Sequence, residues 1–185
     1  MTNDNDNGND NDKDNNNTTA AIMLISTRPQ YHLSTTEAHY LQYHIEQGSR
    51  LLANLENDDN PLRSLLVPRA LTSRLLRNAT CAMSAVHFSN RVQDGFVART
   101  AATNYYIQTV RQLRGMLAGD FSAPGVSGVS SDELIIAVGV LCKYEIVRGS
   151  VRQWAVHLDA LRKLIIARGG YRAMEPETAE FIWGL

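Results

Sequence analysis

The chain has 185 residues, of which 44% are hydrophobic and 20% charged, with 18 Lys and Arg against 19 Asp and Glu and a formal net charge of -1. That composition suits one domain with a sizeable core plus a tail, and so balanced a charge does not point to nucleic acid by itself. The two cysteines, Cys81 and Cys142, are too few for a disulfide framework, and each lies in an apolar helical stretch where a small buried hydrophobe is the expected role.

The first nineteen residues are almost all Asn and Asp, with Asp4, Asp6, Asp10, Asp12 and Asp14 set against Lys13. Such a segment buries too little apolar surface to offset its ordering entropy, so residues 1–33 are expected to be a disordered or irregular tail. The tail lacks the bulky apolar residues that activation segments interleave with acids, and reads as a solvated spacer. It carries no apolar stretch of the secretory type. The longest apolar run, Leu134 to Cys142, is about half of the ~20 residues a membrane span needs, which predicts a soluble, intracellular chain.

Residues 34–185 are expected to form a helical domain. Ser34 and Glu37 have capping-box spacing and open a helix whose face carries Leu41, Ile45, Leu52 and Leu55, with Gly48 interrupting it. Asn57 to Asn60 breaks that helix, and Asn60-Pro61 starts the next. Pro68 interrupts in turn, and a long helix is predicted from Pro68 or Arg69 to Phe88, with Leu71, Leu75, Ala79, Ala82 and Val86 facing inward. The small residues Ala79, Cys81, Ala82, Ser84 and Ala85 on it suggest a closely packed neighbour. Arg69, Arg74 and Arg77 read as a solvated face.

A further helix is predicted from Phe96 to Leu117, with Tyr106, Val110, Leu113 and Leu117 in register. Asp120 to Val129, rich in Gly, Ser and Pro, is the clearest internal loop. Ser130 and Glu133 then open a helix ending at Arg148. It is apolar on nearly every side at first, the pattern of a central, buried helix. No sustained alternation of apolar and polar residues supports a sheet, so the expected fold is all-α, an antiparallel helical array.

The most informative stretch runs from Leu141 to Gly170. Gly149 is placed to stop one helix in the left-handed conformation, and Ser150 with Gln153 to cap a second. Trp154, Leu158, Leu161 and Ile165 form one stripe on that second helix, Arg168 suits its negative end, and Gly169-Gly170 stops it. Trp154 is expected in the core. Truncating a buried Trp to Ala costs about 3–5 kcal/mol, against a total stability of about 5–15 kcal/mol, so Trp154→Ala is expected to leave the chain largely unfolded. His157 is expected to cap or bridge helices, and Glu145 to pair with Arg168 or Arg152 across the hairpin.

Tyr144, Glu145, Gly149, Trp154, His157, Leu158, Leu164, Ile165, Arg168, Gly169 and Gly170 together resemble the signature of the regulatory domain of fungal zinc-cluster transcription factors. Asn60 to Pro68, followed by the small-residue helix to His87, is similar to an upstream segment of that domain. The resemblance spans roughly Glu37 to Gly170, and it implies a longer full domain than this chain holds. It implies regulation of transcription in a fungus, a nuclear location, and action through intramolecular contacts, protein partners (self or other regulators) or a small-molecule effector. Family members read DNA through a cluster of six cysteines and two zincs. This chain has two cysteines and is not expected to bind DNA directly.

No reactive constellation competes with that reading. The five histidines include no His-Glu-x-x-His, no cysteine pair has ligand spacing, and there is neither a phosphate-binding glycine loop nor a Gly-x-Ser-x-Gly turn. The sequence therefore assigns no catalytic, cofactor or metal residue and predicts a non-enzyme. The alternative it leaves open is a non-catalytic helical scaffold. The apolar end, Phe181-Ile182-Trp183, is expected to be an exposed patch, the mark of a fragment of a longer regulator or of a surface completed by another chain.

Overall fold

Capping chemistry sets the element boundaries in the computed structural model, which describes residues 32–53, 60–119 and 130–184. Helix α1 (Thr35–Tyr43) begins at a complete capping box. The Ser34 hydroxyl accepts from the Glu37 N–H at 3.2 Å, and the Glu37 carboxylate accepts from the Ser34 N–H at 2.8 Å. The helix widens into a π turn at His44–Gly48 and continues as α2 (Ser49–Leu52). In that turn His44 is fully buried. Its Nε2 donates to the Leu62 carbonyl at 2.8 Å and its Nδ1 accepts from the Ser84 hydroxyl at 3.2 Å. Leu41 and Leu52 are buried as expected, whereas Ile45, on the same predicted face, is exposed because the wider turn rotates it outward. Leu55, residues 1–31 of the predicted tail and the Asp120–Val129 loop lie outside the described residues, whereas Leu33, the last residue of that predicted tail, is half-buried against the core.

Asn60 caps α3 (Pro61–Ser64) by accepting from the Leu62 N–H at 2.9 Å, and its amide donates to the Ser49 carbonyl at 2.9 Å. The long helix predicted from Pro68 is two helices, α4 (Leu66–Thr72) and α5 (Arg74–Ser89). Ser73 divides them in an extended conformation, its hydroxyl accepting from the Leu76 N–H as the cap of α5. The small residues of α5 do what their size suggests. Ala79, Cys81, Ala82, Ser84 and Ala85 are all buried, and α1, α4, α6 and α7 pack around this helix.

Helix α6 (Phe96–Leu117) follows a turn at Gly95, where a Cβ would lie 2.2 Å from the Ser89 carbonyl oxygen, so no other residue fits. Its buried line is Ala98, Ala102, Thr109, Leu113 and Met116. Tyr106 and Val110 are half-buried and Leu117 is exposed, a rotation from the predicted face. Helix α7 (Ser131–Arg148) is buried without interruption from Ile135 to Glu145, as expected of a central helix. Helix α8 (Val151–Arg168) turns back along it, a short 3-10 turn spans Tyr171–Ala173, and α9 (Pro176–Trp183) packs against α7 and α3. Every regular element among the described residues is helical, so the all-α expectation holds. All of them belong to one compact unit, Leu33–Leu185.

Two expectations about the surface change. Arg69 and Arg77 are engaged rather than solvated: Arg69 meets Glu175 at 2.5 Å and Glu177 at 3.5 Å, and Arg77 meets Glu37 at 3.1 Å. The C-terminal apolar residues are mostly covered as well. Phe181 is 1% exposed and Ile182 is buried, because α9 lays them against the core. Only Trp183, 78% exposed, remains outside.

Candidate functional site

The α7–α8 hairpin gathers the residues singled out in the sequence. Gly149 has φ 81° and ψ 24°, a conformation that a side chain would strain. It permits a Schellman closure, with the Gly149 N–H on the Ile146 carbonyl at 3.1 Å and the Ser150 N–H on the Glu145 carbonyl at 2.9 Å. The same closure ends α8, where Gly169 N–H meets Ile166 O at 3.0 Å and Gly170 N–H meets Ile165 O at 2.8 Å. The capping box predicted at Ser150 does not form. Its side chain makes no cap bond, since the tight glycine turn has already fixed how the chain enters α8.

Glu145 is fully buried, with Arg148 Nη1 3.4 Å from Oε2 and His157 Nε2 3.8 Å from Oε1. The expected partners Arg168 and Arg152 are not its ion pair. In an antiparallel hairpin turning at Gly149, position 168 lies opposite the start of α7 rather than opposite residue 145. Arg168 therefore meets Asp132, Nε to Oδ1 at 3.0 Å, while the Glu175 N–H donates to Asp132 Oδ2 at 2.8 Å. This buried aspartate ties the start of α7 to the end of α8 and to the approach of α9. Burial raises its pKa, yet the Glu175 N–H and the Arg168 guanidinium outweigh that and hold it below the usual carboxylate range. Sequence reading passed over Asp132, whose only signal was an acid in the first turn of a helix.

His157 bridges helices, as expected. Its Nε2 lies 3.0 Å from the Tyr106 hydroxyl on α6, and the Tyr106 ring stacks on Tyr144 of α7 with centroids 4.9 Å apart. Burial pushes the His157 pKa down and the Tyr106 phenol up to about 12, the latter helped by the Glu145 charge. Burial likewise raises the Glu145 pKa against the opposing pull of Arg148 and Tyr106. Glu145 Oε1 has no hydrogen-bond partner. The cluster is a polar bridge between three helices, α6, α7 and α8. Trp154 is half-buried at the edge of the core rather than inside it.

The outward side of α8 is unlike its inner side. Leu161 and Ile165 are buried against α7, but Leu158, placed on the same stripe by its spacing, is 43% exposed. Helix α8 leans chiefly on α7, so its covered stripe is narrow. Leu158, Ala155 and Ile166 (63% exposed) instead line a shallow groove of about 560 Å³ with Asp159, Arg162 and Tyr171. Trp183 stands beside it, its ring 5.5 Å from that of Tyr171. Among the described residues no group of His, Cys, Asp and Glu could hold a metal ion, and no helix is long and apolar enough to cross a membrane.

The described residues thus form a helical array built on a glycine-closed hairpin and fastened by side-chain bridges. Residues 39–182 match the family described as Fungal specific transcription factor domain. The chain belongs to that family, and the resemblance seen in its sequence is real. No curated protein and no solved structure matches the chain.

Proposed function

We propose that this chain is the helical regulatory region of a fungal transcription regulator, that it works in the nucleus through protein contacts, and that it neither catalyses a reaction nor reads DNA itself. Membership of the family supports a part in transcription regulation. The observation that carries the proposal is the outward face of α8. Leu158, Ile166, Tyr171 and Trp183 leave apolar surface in water beside the hairpin, as a protein contact site does. Two cysteines cannot build a six-cysteine zinc cluster, so DNA contact falls to another protein or another segment. Of the motif residues, Tyr144, Glu145, Gly149, Trp154, His157, Arg168, Gly169 and Gly170 act in this reading by shaping and holding the hairpin, while Leu158 belongs to the outward face.

The same face would serve a scaffold with no transcriptional role, and location separates the two readings. A tagged chain expressed in a fungal host should accumulate in the nucleus, and its fusion to a DNA-binding module should change transcription of a reporter. Cytosolic residence with a stable partner and an unchanged reporter would favour the scaffold.

A further inference from the structure

Helix α6 carries charge of one sign. Its 22 residues include Arg99, Arg111 and Arg114 and no Asp or Glu. All three arginines are exposed, and among the described residues none of the three guanidiniums has a hydrogen-bond or ion-pair partner. The nearest acid along the chain, Asp94, is engaged at the helix start, its Oδ1 accepting from the Phe96 N–H at 3.2 Å. Soluble surfaces ordinarily intersperse both signs. Elsewhere the chain does so, with Arg69 on Glu175, Arg77 on Glu37 and Arg162 on Asp159.

The arginines share one side of the helix with apolar residues. At 3.6 residues per turn, Phe96, Thr100, Thr103, Ile107, Arg111 and Arg114 fall within about a quarter turn of one another and span about 27 Å. All six are exposed, and their line lies opposite Ala98, Ala102, Thr109, Leu113 and Met116, which are buried. Arg99 flanks the line near its start. The face therefore offers cations toward both ends and the Ile107 side chain between them, and α6 places no acid on it.

We infer that this face of α6 docks an acidic amphipathic helix of a protein partner. The partner's apolar residues cover Phe96 and Ile107, and its carboxylates meet Arg99 at one end and Arg111 and Arg114 at the other. Charge complementarity selects that occupant. A second copy of this face would set guanidinium against guanidinium, and like charges across an interface are costly. A nucleic-acid duplex carries a charge about every 1.7 Å, roughly 16 over this length, and its backbone offers nothing to the exposed Phe96 and Ile107. An acidic helix can repeat a carboxylate every turn, about 5.4 Å, which suits a few spaced cations better. Each guanidinium can hold a carboxylate at two oxygens. Exposed ion pairs are individually weak, so the contact belongs to the transient, micromolar class. The surface is separate from the regulatory reading's α8 face and uses none of its residues.

The test is fluorescence anisotropy of the full chain with a fluorescein-labelled helical peptide of about 18 residues, its Leu stripe flanked by Glu. Saturable binding is expected, with Kd below about 100 μM, and it should weaken as ionic strength rises. Arg111→Gln/Arg114→Gln should weaken it at least about tenfold, as should a peptide with Ser in place of each Leu. Both arginines are exposed and unpaired, so that variant keeps the fold, and circular dichroism checks this. Leu158→Ser/Ile166→Ser should bind the peptide as the parent does. The peptide reads the α6 face and the transcriptional reporter reads the α8 face, so either can fail alone. Absence of saturation, binding unchanged in the arginine variant, or binding lost in the α8 variant overturns the inference. A short DNA duplex or phosphatidylserine vesicles bound through the same arginines as tightly as the peptide would overturn the choice of a protein partner.

Discussion

The Tyr106 hydroxyl meets His157 Nε2 at 3.0 Å, and this one contact fastens α8 to α6 across the buried carboxyl of Glu145. The hairpin is therefore held in three ways: by the glycine closures at the ends of α7 and α8, by Asp132 at the far end of α8, and by this polar bridge near the turn. Tyr106→Phe should remove the bridge and leave the ring stack on Tyr144. The expected loss is about 1 kcal/mol of stability in chemical denaturation, with no change in helicity.

Glu145 gives the sign of one pH effect. Its folded pKa is raised, so the stability it contributes is present below its unfolded value of about 4.3 and is lost as pH rises through the folded value. Glu145→Gln cannot titrate. Its melting temperature should exceed the parent's at pH 8, and the difference should vanish as pH falls toward about 4.

Asp132 and His44 act in the opposite direction. The Asp132 pKa is lowered, so its contribution is present above about 3.9 and is lost as pH falls through its folded value. His44 is buried, and burial pushes its pKa down to about 4, so it favours the fold above about 6.5 and loses that effect as pH falls through about 4. Thermal melts of the parent should show acid destabilisation over this range. Asp132→Ala should cost about 2–3 kcal/mol at pH 7, since it leaves Arg168 and the Glu175 N–H without their acceptor. In the His44→Gln chain the part of the acid transition below about pH 6 should be reduced.

Burial reverses the ranking of aromatic residues suggested by the sequence. Phe181 is the largest fully buried side chain among the described residues, and Phe181→Ala should cost about 3–5 kcal/mol. Trp154, half-buried at the core's edge, should cost about half as much and leave a cooperative melt. Denaturant midpoints of the two variants, compared at equal m-value, check the order.

The parts of the fold legible in the sequence were those fixed by local chemistry. Gly149 and Gly169 after basic last turns, Ser34 with Glu37, and Asn60 before Pro61 placed helix ends correctly, because each satisfies backbone groups within a few residues. Features decided at a distance were not legible. Ser73 reads as an ordinary residue in a periodic run, and only the packing of α4 against α5 reveals it as a cap. Leu158 has the spacing of a buried residue, but α8 has too few neighbours to cover it. Arg69 finds Glu175 and Arg168 finds Asp132 only after the chain has folded, so no spacing predicts either pair.

The measurement closest to the central claim is a reporter assay with the chain fused to a DNA-binding module, comparing the parent with Leu158→Glu/Ile166→Glu. Both sites are exposed, so the double variant should keep the parent's unfolding free energy to within about 0.5 kcal/mol. The account predicts that the parent changes reporter output and that the equally folded double variant does not. A double variant that folds normally and regulates as strongly as the parent would contradict it.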